Sequence, residues 1–213
     1  MDTSWLGDQR DVVEIDGPDA ATFLQSQVSQ DLRGMASGDT RWTFLLQPTG
    51  RVEVLARVAM VGDSTFRLDT DLGFGQALID RLNRFKIRVK ATVALVDEGA
   101  GSVPGDEAAR IAACWPKMGA EILPGETIPA ETGLAEVAIS FTKGCYPGQE
   151  LVERMDSRGS TAPRRLVVLP LRPDDAPGAD VLHDGAVIGR ITSVGTTQVL
   201  AYIKRGQDAS ARD

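Results

Sequence analysis

Apolar and polar positions alternate along residues 51 to 60. Val52, Val54, Ala56, Val58 and Met60 interleave with Arg51, Glu53, Leu55 and Arg57, the period of a half-buried strand. The same period returns from Lys86 to Val96. There Ile87, Val89, Ala91, Val93 and Leu95 alternate with Lys86, Arg88, Lys90 and Thr92. Shorter strands are expected at residues 11 to 15, 40 to 47 and 65 to 69, with turns at Pro48-Thr49-Gly50 and Gly62-Asp63 making a hairpin meander. Helical spacing occurs twice. Phe23, Leu24, Val28 and Leu32 form a stripe after the start signal Asp16-Gly17-Pro18-Asp19, with Gly34 and Gly38 as the stop. Phe74, Leu78, Leu82 and Phe85 predict a second helix over 73–85.

Beyond residue 97 the pattern is broken by glycine and proline. Residues 97–105 read as a connector. Residues 106–122 read as helical until Pro116 interrupts them, and residues 135–141 are short and apolar. Strands return at 166–171, 187–194 and 199–204, with Asp184-Gly185 suiting a type I′ turn. The tail therefore predicts a small antiparallel sheet or partial barrel. The fold class is α+β, with an N-terminal domain at 1–97, a middle segment at 98–162 and a C-terminal β unit at 163–213.

Charge narrows the possible partners. The net charge is −7 over 213 residues, which removes a global polycation for DNA or an anionic membrane. One stretch departs from this: Arg81, Arg84, Lys86, Arg88 and Lys90 fall within ten residues that hold no acid. A solvated face and a patch for an anionic ligand both account for it. The first residues lack a basic and an apolar region, so no signal peptide is expected, and no apolar run approaches the ~18 residues of a membrane span. Cys114 and Cys145 stand apart and His183 is the only histidine, so no zinc site is expected and a reducing cytosol fits.

The densest chemistry lies in Ser140 to Gly159. Lys143 to Glu150 brings together an ammonium, a thiol, a phenol, an amide, a carboxylate and two glycines. A helix starting near Gly148 would put Cys145 at its positive end, where the dipole and Lys143 favour the thiolate. A buried turn cysteine, with Lys143 and Glu150 paired on the surface, is the other reading of the same residues. Cys114, between Ala113 and Trp115, reads as a core thiol.

Lys143-Gly144-Cys145-Tyr146-Pro147-Gly148-Gln149-Glu150 closely resembles the K-G-C-Y-x-G-Q-E signature of YgfZ-type folate-binding proteins. These are relatives of the glycine-cleavage T-protein (aminomethyltransferase) and include a mitochondrial iron–sulfur assembly factor. Further segments resemble the family in order: Gly17 to Ala20, Phe23 to Gln27, Leu46 to Arg51, Arg84 to Arg88, Pro116 to Ile122 and Glu131 to Leu134.

The resemblance implies a ferredoxin-like folate-binding region, a small C-terminal antiparallel β-barrel and a tetrahydrofolate cofactor. It also implies a role with iron–sulfur client proteins or assembly factors, and through them in tRNA modification; the start of the chain and its two thiols add the expectation of a cytoplasmic location. No membrane or direct DNA contact is expected. Cys145 is then the functional thiol and a transient iron ligand, with no resident metal. Lys143 and Tyr146 stand beside it, and Gly144, Gly148, Gln149 and Glu150 support the motif. Candidate folate contacts are Arg51, Arg84, Lys86, Arg88 and Arg110, with the cations at 84, 86 and 88 facing the glutamate tail.

Two positions depart from the family. The acid that assists methylene transfer is replaced near Val54 and Leu55. Ala112 stands where a glutamate would accept pterin N–H bonds. The expectation is a folate-binding accessory protein. A folate-dependent aminomethyltransferase is the alternative, and a scaffold that has lost folate is the second.

Overall fold

A computed structural model describes residues 3–99, 101, 103–157, 162–209 and 212. Strands β1 (Arg10–Asp16), β2 (Thr40–Leu46), β3 (Val52–Met60), β4 (Thr65–Asp71) and β5 (Thr92–Glu98) form one antiparallel sheet in the order β2-β3-β4-β1-β5. Helix α1 (Ala20–Gln27) follows β1, and α2 (Gly75–Phe85) follows β4. Without β2, the order β5-β1-β4-β3 with two crossover helices is the ferredoxin-like β-α-β-β-α-β arrangement. β2 extends it as the hairpin partner of β3.

Both faces of this sheet are covered. Val13, Ile15, Val54, Val58 and Leu68 meet Leu24 of α1 and Leu78 and Leu82 of α2. On the other face Trp42, Phe44, Leu46 and Leu55 meet Trp115, Ile122, Leu134, Tyr146 and Val152 of the middle segment. Leu55, counted with the polar positions by its period, is buried by this second layer.

Two N-terminal boundaries differ from the sequence expectation. α1 ends at Gln27, because the backbone N–H of Ser29 turns to the Phe44 carbonyl and Val28 bridges to Leu45. The chain leaves the helix for the sheet edge, and Leu32 reaches the core from a loop. β5 begins at Thr92 rather than Lys86. Residues 86–91 form an irregular link in which Arg88 holds a φ of 57°, so Lys86, Arg88 and Lys90 do not share a strand face.

The middle segment holds α3 (Glu107–Ala112), α4 (Ala135–Ala138), α5 (Gln149–Ser157) and a single 3-10 turn at Pro129–Glu131. α3 stops before Pro116, and Cys114 turns the chain with a φ of 53°. Arg158 and Gly159, the end of the stretch singled out above, lie outside the described residues, as do Met1 and Asp2.

Strands β6 (Arg164–Pro170), β7 (Asp180–His183), β8 (Ala186–Val194) and β9 (Gln198–Lys204) form a second antiparallel sheet in the order β6-β9-β8-β7. Asp184 and Gly185 take φ values of 50° and 72°, as the expected I′ turn requires. Among the described residues β6 and β7 do not pair, so the sheet stays open and the expected barrel is not formed. Arg110, 4% exposed, ties the middle segment to this second sheet. It donates to Glu121 at 2.9 Å and to Ser193 of β8 at 2.8 Å, and Ser193 donates to Glu121 at 2.5 Å.

Candidate functional site

The loop from Lys143 to Gly148 runs from α4 to α5, and Cys145 is exposed at its apex. Tyr146 turns inward and is 7% exposed in the core behind the sheet. Burial, then the nearby Glu153 carboxylate, push its phenol up to about 12. Near neutral pH Tyr146 is an anchor and not a proton donor. Gln149 closes the turn: its N–H reaches the Tyr146 carbonyl at 3.3 Å and its Nε2 donates to Glu153 at 2.6 Å.

Lys143 is 5% exposed. Its Nζ donates to the carbonyls of Gln25 at 2.6 Å, Val28 at 2.5 Å and Gln30 at 3.1 Å, the acceptors left over where α1 ends. It also lies 5.2 Å from the Tyr146 ring centroid. Burial pushes the ammonium down to about 8. All three of its hydrogens are committed, so Lys143 tethers the loop and has no proton left for Cys145. The surface pairing with Glu150 is not formed either. Glu150 pairs with Arg154 of α5 at 2.6 Å.

The second tether is steric. Gly148 holds a φ of 84°, and a Cβ there would stand 2.5 Å from the Gln47 carbonyl oxygen. The loop thus rests directly on the Leu46–Arg51 turn. Gly144 differs: a Cβ would meet nothing within 4 Å, so of the two glycines only Gly148 is required by the geometry.

The turn leads into a β-bulge. Leu45 pairs with Val54 and Leu46 with Val52, leaving Glu53 as the extra residue. The Glu53 carboxylate lies 3.5 Å from both Arg81 and Arg84. Arg81 is fully buried. Its Nε donates to the Leu46 carbonyl and its Nη1 to Gln27 Oε1, and burial pushes it down to about 10. Arg81 Nη2 and Glu53 Oε2 have no hydrogen-bond partner among the described residues. Four segments distant in sequence, the end of α1, the 46–51 turn, α2 and the cysteine loop, therefore meet at one corner. Glu53 was not singled out beforehand, although a carboxylate entering an apolar strand beside a turn was visible in the sequence. Nothing in the sequence marked Glu121.

The folate candidates do not converge. Arg110 is consumed by Glu107, Glu121 and Ser193. Arg51 donates to the Glu126 carbonyl and Lys86 to the Ala91 carbonyl. Arg84 leans toward Glu53 but stays half exposed, and Arg88 is exposed. Ala112 is an exposed alanine on α3, and Val54 and Leu55 are buried in the two cores. The pterin acceptor and the transfer acid are thus missing from their expected places, and this donor set does not fit a folate held in the family's manner. Cys114 is half-buried, and burial pushes its thiol up. Among the described residues no group of three or more His, Cys, Asp or Glu could hold a metal, and no helix is long and apolar enough to cross a membrane.

Beside the loop, Leu151, Val152 and Met155 of α5 face Ile139, Phe141 and Pro129 across an open apolar groove of about 280 Å³. Glu136 is the charged residue on its wall.

No protein-family model matches the chain. It is similar to an aminomethyltransferase of Rippkaea orientalis, 27% identical over 209 residues, covering 94% of this chain and 52% of that protein. It is also similar to the mitochondrial iron–sulfur cluster assembly factor IBA57 of Homo sapiens, 35% identical over 111 residues, covering 44% and 30% of the two chains. The crystal structure of the glycine cleavage system aminomethyltransferase T from Bartonella henselae shares the fold. Its TM-score is 0.79 at 16% identity, covering 92% of this chain and 76% of that one. The chain spans about half the length of the aminomethyltransferases it matches. Its homologues are thus aminomethyltransferases and iron–sulfur cluster assembly factors, the superfamily that the Lys143–Glu150 motif pointed to.

Proposed function

We propose that this chain is an accessory protein supporting the assembly or repair of iron–sulfur clusters, and through its clients tRNA modification, with Cys145 as the working group. The observation that carries this reading is the contrast within the loop. Lys143, Tyr146 and Gly148 are spent on holding it, while the thiol they present is exposed. A cluster takes four thiolates or their equivalents. Cys114 is half-buried elsewhere, so Cys145 supplies one ligand and a partner protein the others. The two free cysteines fit a reducing cytosol.

Tetrahydrofolate divides the reading in two. Arg84 and Arg88 keep guanidinium surface for the carboxylates of a folate tail, which supports a factor that carries folate. Ala112 and the engaged Arg110 support one that has lost it. Titration with tetrahydrofolate decides between them. The test of the main reading is rescue of iron–sulfur enzyme activity in cells lacking the protein. Cys145→Ala is expected to fail while expressing and folding normally, and full rescue would remove Cys145 from the mechanism.

The transferase reading keeps one specific support. Glu53 places a buried carboxylate oxygen, without a hydrogen-bond partner among the described residues, one residue before Val54. Folate-dependent aminomethyl transfer that Glu53→Gln abolishes would establish that reading.

A further inference from the structure

Ile87 is 77% exposed, the most exposed large hydrophobic side chain among the described residues. It stands in the 86–91 link, where its N–H bonds back to the Phe85 carbonyl at 3.0 Å. The next residue, Arg88, holds a left-handed φ of 57°, a conformation that non-glycine residues rarely keep. Arg84, Lys86, Arg88 and Lys90 lie within three residues of it. Arg84, Arg88 and Lys90 are exposed, Lys86 donates to the Ala91 carbonyl, and Asp19 accepts from the Lys90 N–H, so the loop is an apolar knob with exposed cations on both sides of it in the chain.

The groove beside the cysteine loop has the opposite character. Its lining side chains are apolar save Glu136, and α5 nearby exposes Glu150 and Glu153 together with Arg154, which pairs with Glu150. Knob and groove lie on opposite sides of the five-stranded sheet. Val89 and Ala91 pack against the helix-side core, whereas Ile139 and Val152 belong to the core on the other face. They cannot meet within one chain.

We propose that Ile87 and its flanking cations dock into the groove of a second copy of this chain, a head-to-tail contact. Apolar burial supplies the anchor. The opposed charges set the orientation and make the contact sensitive to salt. Because the groove adjoins the cysteine loop, the knob of one copy sits beside the Cys145 of the next. A folate tail on Arg84 and Arg88 would compete for the same cations, so the test is run without folate and does not depend on that ligand.

The test is sedimentation velocity over a concentration range from about 10 to about 500 µM, spanning the weak affinities of small interfaces. The unmodified protein is expected to sediment faster as concentration rises, and less so in high salt. Ile87→Glu destroys the knob, and Glu136→Lys with Met155→Lys destroys the groove. Each variant alone is expected to associate at least about tenfold more weakly. Mixed together, they are expected to give a one-to-one dimer and nothing larger, since one lends its groove and the other its knob. Three results overturn the proposal: unmodified protein that stays monomeric throughout, Ile87→Glu protein that associates like it, or a mixture that stays monomeric.

Discussion

Gly148 and Gly50 occupy each other's side-chain space. A Cβ on Gly148 would lie 2.9 Å from the Gly50 Cα, and a Cβ on Gly50 would lie 3.0 Å from the Gly148 carbonyl oxygen and 2.4 Å from the Leu151 Cβ. Both hold positive φ, 84° and 82°. Gly148→Ala is therefore expected to cost at least about 2 kcal/mol in urea unfolding, while Gly144→Ala stays within about 0.5 kcal/mol. Equal costs at the two positions would mean that the loop does not rest on the turn as described.

Lys143→Met removes the donor shared by three carbonyls. Leaving them without a partner is expected to cost about 1–3 kcal/mol. Hydrogen exchange at residues 143–149 should accelerate more than in the β6–β9 sheet. Uniform acceleration across the chain would argue against a local tether.

The same side chain sets a pH dependence. Burial holds Lys143 at about 8 in the folded chain, against about 10.4 when unfolded. Between those values the unfolded chain binds more protons, so this group's contribution to stability rises with pH, and below 8 the full cost of the buried ammonium is present. Unfolding midpoints at about pH 7 and about pH 9.5 should show the unmodified protein gaining on Lys143→Met as pH rises. A gap that narrows would reverse the assignment.

Glu121→Gln removes the buried one of the two carboxylates that hold Arg110 and leaves it the half-exposed Glu107. The expected cost is about 3 kcal/mol in thermal unfolding, with the C-terminal sheet becoming the first site of proteolytic cleavage. A loss under about 1 kcal/mol would show that Ser193 and Glu107 hold Arg110 without it.

The strands of the N-terminal sheet were legible because period-two patterning and turn residues agree over residues 40–71. The cysteine loop was legible as a cluster of residue types, and its relatives as a motif. What each residue does there was not, since the Lys143 acceptors are carbonyls of the α1 end and Tyr146 is buried by a layer that sequence periodicity does not describe. The basic stretch misled for a related reason. It holds no acid in sequence, yet the Glu53 bulge brings one to Arg81 and Arg84. The open second sheet, expected as a barrel, depends on whether β6 and β7 pair, which their own sequences leave undetermined.

The Lys143 tether also orders events during synthesis. Gln25 precedes Lys143 by 118 residues. At a ribosome adding about 5–20 residues per second, those acceptors wait about 6–24 s for the side chain that will use them. The meander can pair in that interval, but the loop bearing Cys145 cannot be fastened. The thiol then emerges on an untethered segment beside a sheet already built. Any chaperone that guards this cysteine from oxidation has its task in that window, before the lysine two residues ahead of the thiol locks onto the first helix.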